Sequence, residues 1–281
     1  MGIFNSYLKE GPGIEKDAPK KKSVFLFAEL VVRKFFPMLK ANLLYSLLSI
    51  PFFAVALLVI APMIRTVFVA PSLYQGDAYL TIMLDILFAG LIFNFFGSGP
   101  ASAAYAYVTR SFTRSEPVWV ASDGFDAFKE NFKYSILLVV IDIVVIYLAL
   151  NAIYFYGANA DAFSVFLRIF ITVLFAIYAM AHTFIYQIMV TYECKFREVV
   201  KYSLIMTLAK LPMCILLAAV SIAVWVLLCA YLGIVGVILY PIVGLIFTRY
   251  PLEFYAARVI EKNIAKTQSK EKNDNGEEDE E

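Results

Sequence analysis

The sequence predicts an all-α protein, a polytopic membrane helix bundle of six transmembrane helices with additional cytoplasmic amphipathic helices. Three observations carry that expectation. Hydrophobic residues make up 61% of the 281-residue chain and charged residues 17%, where soluble domains run at roughly half and a quarter. Charge-poor runs of bilayer-spanning length recur along the chain. Lys and Arg gather in alternate connections between those runs. A single water-soluble core could not bury so much apolar surface at this length, so the lipid bilayer is the solvent the composition calls for.

Residues 1–22, rich in Gly, Pro and Lys, read as a cytoplasmic N-terminal segment with no apolar signal-peptide core, so the first apolar run is expected to direct insertion. In 23–40, Val24, Phe25, Phe27, Ala28, Val31, Phe35 and Phe36 recur at near-helical spacing between Glu29, Arg33, Lys34 and Lys40. That pattern predicts one amphipathic helix lying on the membrane surface. The first span is expected at 41–64, which carries no charge. A second, 80–108, is interrupted by Asp85 and by Gly97, Ser98, Gly99 and Pro100. The third, 135–156, holds Asp142, and the fourth, 164–192, holds Arg168 and His182. Residues 212–248 are again free of charge. One helix of that length would be ~55 Å long, too long for a bilayer. Two spans, 211–230 and 233–249, turning near Tyr231, Leu232 and Gly233, fit instead.

The cations give this count a parity. Eight precede the first span, Arg65 stands alone after it, and loop 109–134 holds Arg110, Arg114, Lys129 and Lys133. None lies in 157–163 or near 232; Lys195, Arg197, Lys201 and Lys210 lie in 193–211, and six, beginning with Arg249 and Arg258, follow the last span. Positive-inside asymmetry then places both termini in the cytoplasm. One domain is expected over 23–260, and 261–281, ending in acidic residues, is expected to be a disordered tail. Basic, aromatic stretches at 35–40, 125–133 and 196–210 precede spans one, three and five. They suit three similar hairpins or simply the usual cytoplasmic flank of a membrane helix.

Charges inside spans are the default functional candidates. By depth, Asp85 matches Arg168 near the outer face, and Asp142 matches His182 nearer the inner one. Two readings fit: a proton or solute path through spans two to four, or snorkelling and helix–helix hydrogen bonds. At Gly97, Ser98, Gly99 and Pro100 a broken helix could present a half-helix N-terminus to an anion, or the small residues could mark a kink and a close packing site. Phe112, Trp119, Phe125, Phe128 and Phe132, set among Arg110, Arg114, Lys129 and Lys133, compose a candidate docking loop or a membrane-anchoring belt. Cys194, Cys214 and Cys229 lack CxxC spacing and read as apolar filler. His182 is the one histidine, so no metal site is expected. Met1, Gly2 and Ser6 match a myristoylation pattern of low specificity. No residue set reads as catalytic or cofactor-binding, and a net charge of +1 gives no field to recruit nucleic acid.

Two stretches carry a family resemblance. Gly11, Pro12, Gly13, Ile14, Glu15, Lys16, Asp17, Ala18, Pro19, Lys20, Lys21 and Lys22, with the following 25–40, form the first. The second runs from Gly99, Pro100, Ala101, Ser102, Ala103 and Ala104 through Tyr107, Thr109, Arg110, Ser111 and Phe112 to Trp119, Asp123, Gly124 and Phe125, and on through 126–133. Together they resemble YesL-like bacterial membrane proteins, apart from an additional stretch at 52–96. The resemblance implies a Gram-positive-type plasma membrane setting beside carbohydrate uptake systems, and brings no activity with it. The expected role is a non-enzymatic accessory protein acting through the small-residue face at 97–104 and the loop 109–134. A carbohydrate ABC permease is the candidate partner, and a homo-oligomer a further assembly to consider. The alternative is a secondary transporter or channel using the intramembrane charges.

Overall fold

The computed structural model of the protein describes residues 23–159 and 161–277, with side-chain surroundings as far as Asn263. The expectations for 1–22 lie outside the described residues, as do the myristoylation pattern and residues 11–22 of the family resemblance. Within the described residues every regular element is helical. Six helical segments are long and apolar enough to cross a bilayer: Phe35–Phe68, Ala78–Phe95, Phe132–Gly157, Ala162–Met189, Leu211–Leu232 and Ile234–Asn263.

Helix α1 (Ser23–Arg33) ends at a bend on Lys34, and α2 (Phe35–Val55) begins the first span. The single amphipathic helix expected over 23–40 is therefore two, and the span starts six residues before the expected 41. One side of α1 packs against the bundle. Leu30 is fully buried, and the Phe27 ring packs on Tyr250 and Phe254 at 5.5 and 5.4 Å. Pro51 and Pro62 each withhold a backbone donor, and between them the span loosens into a π turn (Ala56–Ile60) before α3 (Ala61–Phe68).

The second span departs most from expectation. Helix α4 (Ala78–Phe95) stops, the chain turns sharply, and α5 (Pro100–Thr113) leaves as a separate helix with twelve of its residues buried. The amphipathic α6 (Val120–Glu130) leads into α7 (Phe132–Gly157), which returns through α8 (Ala162–Met189). Asp161 caps α8, its carboxylate accepting from the Ser164 N–H at 2.9 Å. That bond holds the carboxyl below its usual range, so this cap is present near neutral pH and is lost as pH falls through the lowered value.

Helix α9 (Phe196–Ala209) precedes α10 (Leu211–Leu232), and Gly233 makes the expected turn. The last span runs through α11 (Ile234–Leu239), a second π turn (Tyr240–Gly244), α12 (Leu245–Phe247) and α13 (Arg249–Glu277). Residues 261–277, expected as disordered tail, continue α13 as helix. Lys and Glu, both good helix formers, make up seven of those seventeen residues.

A recurrent bend supports reading the spans as three hairpins. Lys34, Asn131 and Lys210 each stand alone between an amphipathic helix and a span, with φ of −106°, −93° and −121° and ψ of 19°, 6° and 21°. One residue in the bridge region of backbone space turns the chain each time.

A large buried cluster forms where α2, α5 and α13 meet. There Tyr45, Tyr105, Phe112, Tyr250 and Phe254 form a buried aromatic core. Helices α7, α8 and α10 instead expose apolar side chains such as Leu148, Phe166 and Leu216, as lipid-facing helices do. Helices α4 and α10 are held close by Trp225, whose indole N–H donates to the Leu87 carbonyl at 2.9 Å while its ring lies against Gly90. Any side chain at Gly90 would enter that ring. Gly90→Val should therefore destabilise by about 1–3 kcal/mol through overpacking, read as a lower thermal midpoint in detergent, with Gly90→Ala falling between it and wild type.

Candidate functional site

The break in the second span is built by two glycines in left-handed conformations. Gly97 has φ +76° and Gly99 has φ +57°, values that disfavour any other residue. Pro100, without an N–H, starts α5. Ending a helix here strips partners from the last carbonyls of α4, and no water can reach them cheaply inside a bundle. Side chains take over that role. The Tyr186 hydroxyl donates to the Phe96 carbonyl at 3.0 Å, and Arg249 Nη1 donates to the Phe93 carbonyl at 3.1 Å and to the Tyr45 hydroxyl oxygen at 2.8 Å. A guanidinium at this position also meets the negative end of the α4 dipole. The Ser98 N–H donates to Ser102 Oγ at 2.8 Å, and the Ser98 and Ser49 hydroxyls share a bond of 2.5 Å.

Arg249 was expected among the tail cations. It is 3% exposed, and its charge is answered by Glu253, equally buried, whose Oε1 lies 3.4 Å from Arg249 Nε. Glu253 Oε2 accepts from Gln187 Nε2 at 2.7 Å, and the same amide nitrogen donates to the Ala106 carbonyl at 3.1 Å. The π turn in the last span is satisfied in the same manner. Asn42 Nδ2 donates to the Ile242 carbonyl at 2.8 Å and Ser46 Oγ to the Pro241 carbonyl at 3.3 Å. None of Asn42, Tyr45, Gln187, Arg249 or Glu253 was singled out from sequence. The available signal was the Arg249–Glu253 spacing of four residues at the end of an apolar run, which puts both on one helix face.

This arrangement corrects two expectations. The residues 97–104 are not a surface for a partner: Ala101, Ser102 and Ala103 are fully buried within the chain. Their small size lets α5 approach its neighbours. Nor are Arg110 and Arg114 loop cations. Arg110 donates to the Val190 carbonyl and to Thr191 Oγ1, and burial, then the Arg114 charge, pull its guanidinium below the ordinary value. Arg114 Nε pairs with Glu261 at 3.2 Å. Both pin α5 to neighbouring elements.

Of the intramembrane charges, the expected Asp85–Arg168 pair does not form. Asp85 is clasped by Arg65, Nε to Oδ1 at 2.7 Å and Nη2 to Oδ2 at 3.3 Å, because α3 and α4 are the two arms of one hairpin. Arg168 is exposed, on the flank of α8 beside Gly157. Asp142 and His182 do meet, with Nε2 3.0 Å from Oδ1, and the Tyr178 hydroxyl donates to the same oxygen at 2.6 Å. His182 Nδ1 faces the Tyr178 carbonyl at 3.1 Å, and Phe96 covers the ring at 4.9 Å.

Trp119, Phe125, Phe132, Lys129 and Lys133 remain at the surface, Trp119 most of all at 80% exposed. Lys129 Nζ sits 4.4 Å over the Phe125 ring. The other side of α6 is seated on the bundle through Gly124 and Ala127, both buried. Cys194, Cys214 and Cys229 are free thiols. Burial, then Glu198, push the Cys194 thiol up, opposite to the direction a nucleophilic thiolate requires.

The buried Arg249–Glu253 pair gives a directional prediction. Arg249→Met should cost about 3–5 kcal/mol by leaving Glu253 uncompensated. The double variant Arg249→Met/Glu253→Leu should recover a measurable part of the loss in thermal unfolding. A double variant no more stable than the single one would refute that coupling.

The family described as "Protein of unknown function, DUF624" matches residues 78–152. The matched segment spans α4, the break, α5, α6 and most of α7, and so holds Asp85, Asp142 and the exposed aromatic face of α6. No curated protein and no solved structure matches the chain.

Proposed function

We propose that the protein is a non-enzymatic accessory subunit of a bacterial plasma membrane, docking on another membrane protein through the outer face of α6. The observation that carries this reading is the exposed set of Trp119, Phe125 and Lys129 along α6, continued by Phe132 and Lys133 at the start of α7, with the opposite side of α6 seated on the bundle. Exposed aromatic side chains are large, apolar and already held in place, so covering them with a partner costs little ordering entropy. Lys133, beside the Lys129–Asp126 ion pair, adds positive charge for an acidic partner surface. The likeness to YesL-like proteins supports a carbohydrate importer's permease as that partner. The cation distribution supports cytoplasmic termini, which puts α6 on the cytoplasmic side.

One observation favours a second reading, a carrier for a small solute. Asp142 and Gly97, a titratable group and the helix break, line the same internal cavity.

The two readings separate experimentally. A photoreactive benzoylphenylalanine at position 119 should cross-link a permease subunit in intact membranes. The same probe at Tyr154, exposed at the other end of α7, should not. The double variant Trp119→Ala/Lys129→Glu should abolish co-purification of that subunit with no loss of thermal stability, since neither side chain supports the core. In liposomes under a proton gradient the purified protein should move neither protons nor sugar. Flux that disappears in Asp142→Asn would overturn the accessory reading in favour of the carrier.

A further inference from the structure

The cavity between α2, α4 and α7 has a volume of about 250 Å³, and its walls are almost wholly apolar, with Phe52, Ile60, Ile92 and Phe96 among them. Asp142 is the ionisable side chain that lines it, and that residue is 4% exposed. Its two oxygens differ. Oδ1 takes the bonds from Tyr178 and His182. Oδ2 forms no hydrogen bond among the described residues. A carboxylate oxygen that is open only toward apolar walls gains stabilisation when a donor reaches it.

Water fits this space poorly. The volume equals roughly eight waters at ~30 Å³ each, yet a buried water needs two to four polar partners. One acceptor in an apolar chamber suits one donor carried on a hydrocarbon. The way in is lateral, since Val55 on α2 and Ile143 on α7 line the cavity and are 43% and 42% exposed on the apolar outer surface. Asp142 lies ~15 Å along α7 from Phe132, deep enough for a ligand to arrive through hydrocarbon.

The protein's hydrogen bonds also select the charge of the ligand head. His182 Nδ1 faces a carbonyl and Nε2 faces Asp142 Oδ1. One proton on Nδ1 and one between ring and carboxylate satisfy both contacts, and the pair then has no net charge. An ammonium head would lose its hydration at this depth against a neutral pair, whereas a hydroxyl loses far less.

We propose that this cavity is a binding site for a neutral, membrane-soluble alcohol. Its hydrocarbon chain packs on Phe52, Val55 and Ile143, and its hydroxyl donates to Asp142 Oδ2. The site stands independently of the docking role of α6.

The test uses the full-length protein in lipid nanodiscs with three photoprobes of one chain length: a diazirine-bearing long-chain alcohol, the matching alkane and the matching primary amine. Peptide mass spectrometry should place the alcohol's adducts on Phe52, Val55 or Ile143, with the alkane and the amine labelling there about tenfold less, the scale of one well-formed hydrogen bond. Excess unlabelled alcohol should compete. Val55→Trp, which fills the mouth and leaves the Asp142–His182 contact alone, should cut labelling about tenfold with its thermal midpoint unchanged. Equal labelling by the alkane, preference for the amine, or undiminished labelling of Val55→Trp would each overturn the proposal.

Discussion

A helix cannot end inside an apolar bundle without leaving carbonyls that water would otherwise cover, and most of this structure follows from meeting that requirement. The second span breaks after Phe95, and Arg249 from the last span caps the exposed end of α4. A buried guanidinium needs a counter-charge, which places Glu253 one turn further along α13. Glu253 in turn needs its second oxygen satisfied, which brings in Gln187 from α8. The chain of obligations joins α2, α4, α8 and α13 through hydrogen bonds to groups that would be expensive if left alone. The aromatic core of Tyr45, Tyr105 and Tyr250 packs around the same point. The π turn at Tyr240–Gly244 repeats the principle, with Asn42 and Ser46 of α2 covering its carbonyls.

That economy separates two kinds of polar residue in the bundle. Arg249, Glu253, Gln187 and Asn42 answer backbone groups or one another, and they hold irregular backbone in place. The Arg65–Asp85 pair is similar in kind, since it clasps the two arms of one hairpin near its turn. Asp142 is different. Tyr178 and His182 engage one of its oxygens and leave the other toward a cavity reached from the apolar surface. A group with spare capacity is where a ligand can add stabilisation, and here the walls around it demand an apolar one.

The surface divides in a comparable way. Half of the exposed large apolar side chains belong to α7, α8 and α10, where lipid is their natural neighbour. Trp119 and Phe125 stand apart, because α6 and its N-cap lie outside the six spans, with Lys129 set over the Phe125 ring. Its inner side is tied down by small residues packed against α2 and α5, so the face it presents is rigid. This combination motivates a docking role, and it explains why α5 is buried: that helix is the platform beneath α6.

The apolar runs, the alternate basic connections and the turn at Gly233 were legible in the sequence because they depend on local composition, length and backbone freedom. The number of helices able to cross a bilayer and the break at Gly97 and Gly99 follow from those local rules. The Asp142–His182 contact was legible as well, because two residues at matched depth on consecutive antiparallel spans have few other places to go. Arg168 shows the limit of the same argument, since depth specifies height along a helix and says nothing of which side a residue faces. Asp85 accordingly found the nearer Arg65. Burial of α5, the capping of α4 by Arg249 and the cavity beside Asp142 belong to tertiary structure alone. Each depends on segments far apart in sequence, up to 204 residues for the Tyr45–Arg249 bond, meeting in one orientation. No local pattern encodes that meeting; it is decided by which packing leaves the fewest polar groups without partners.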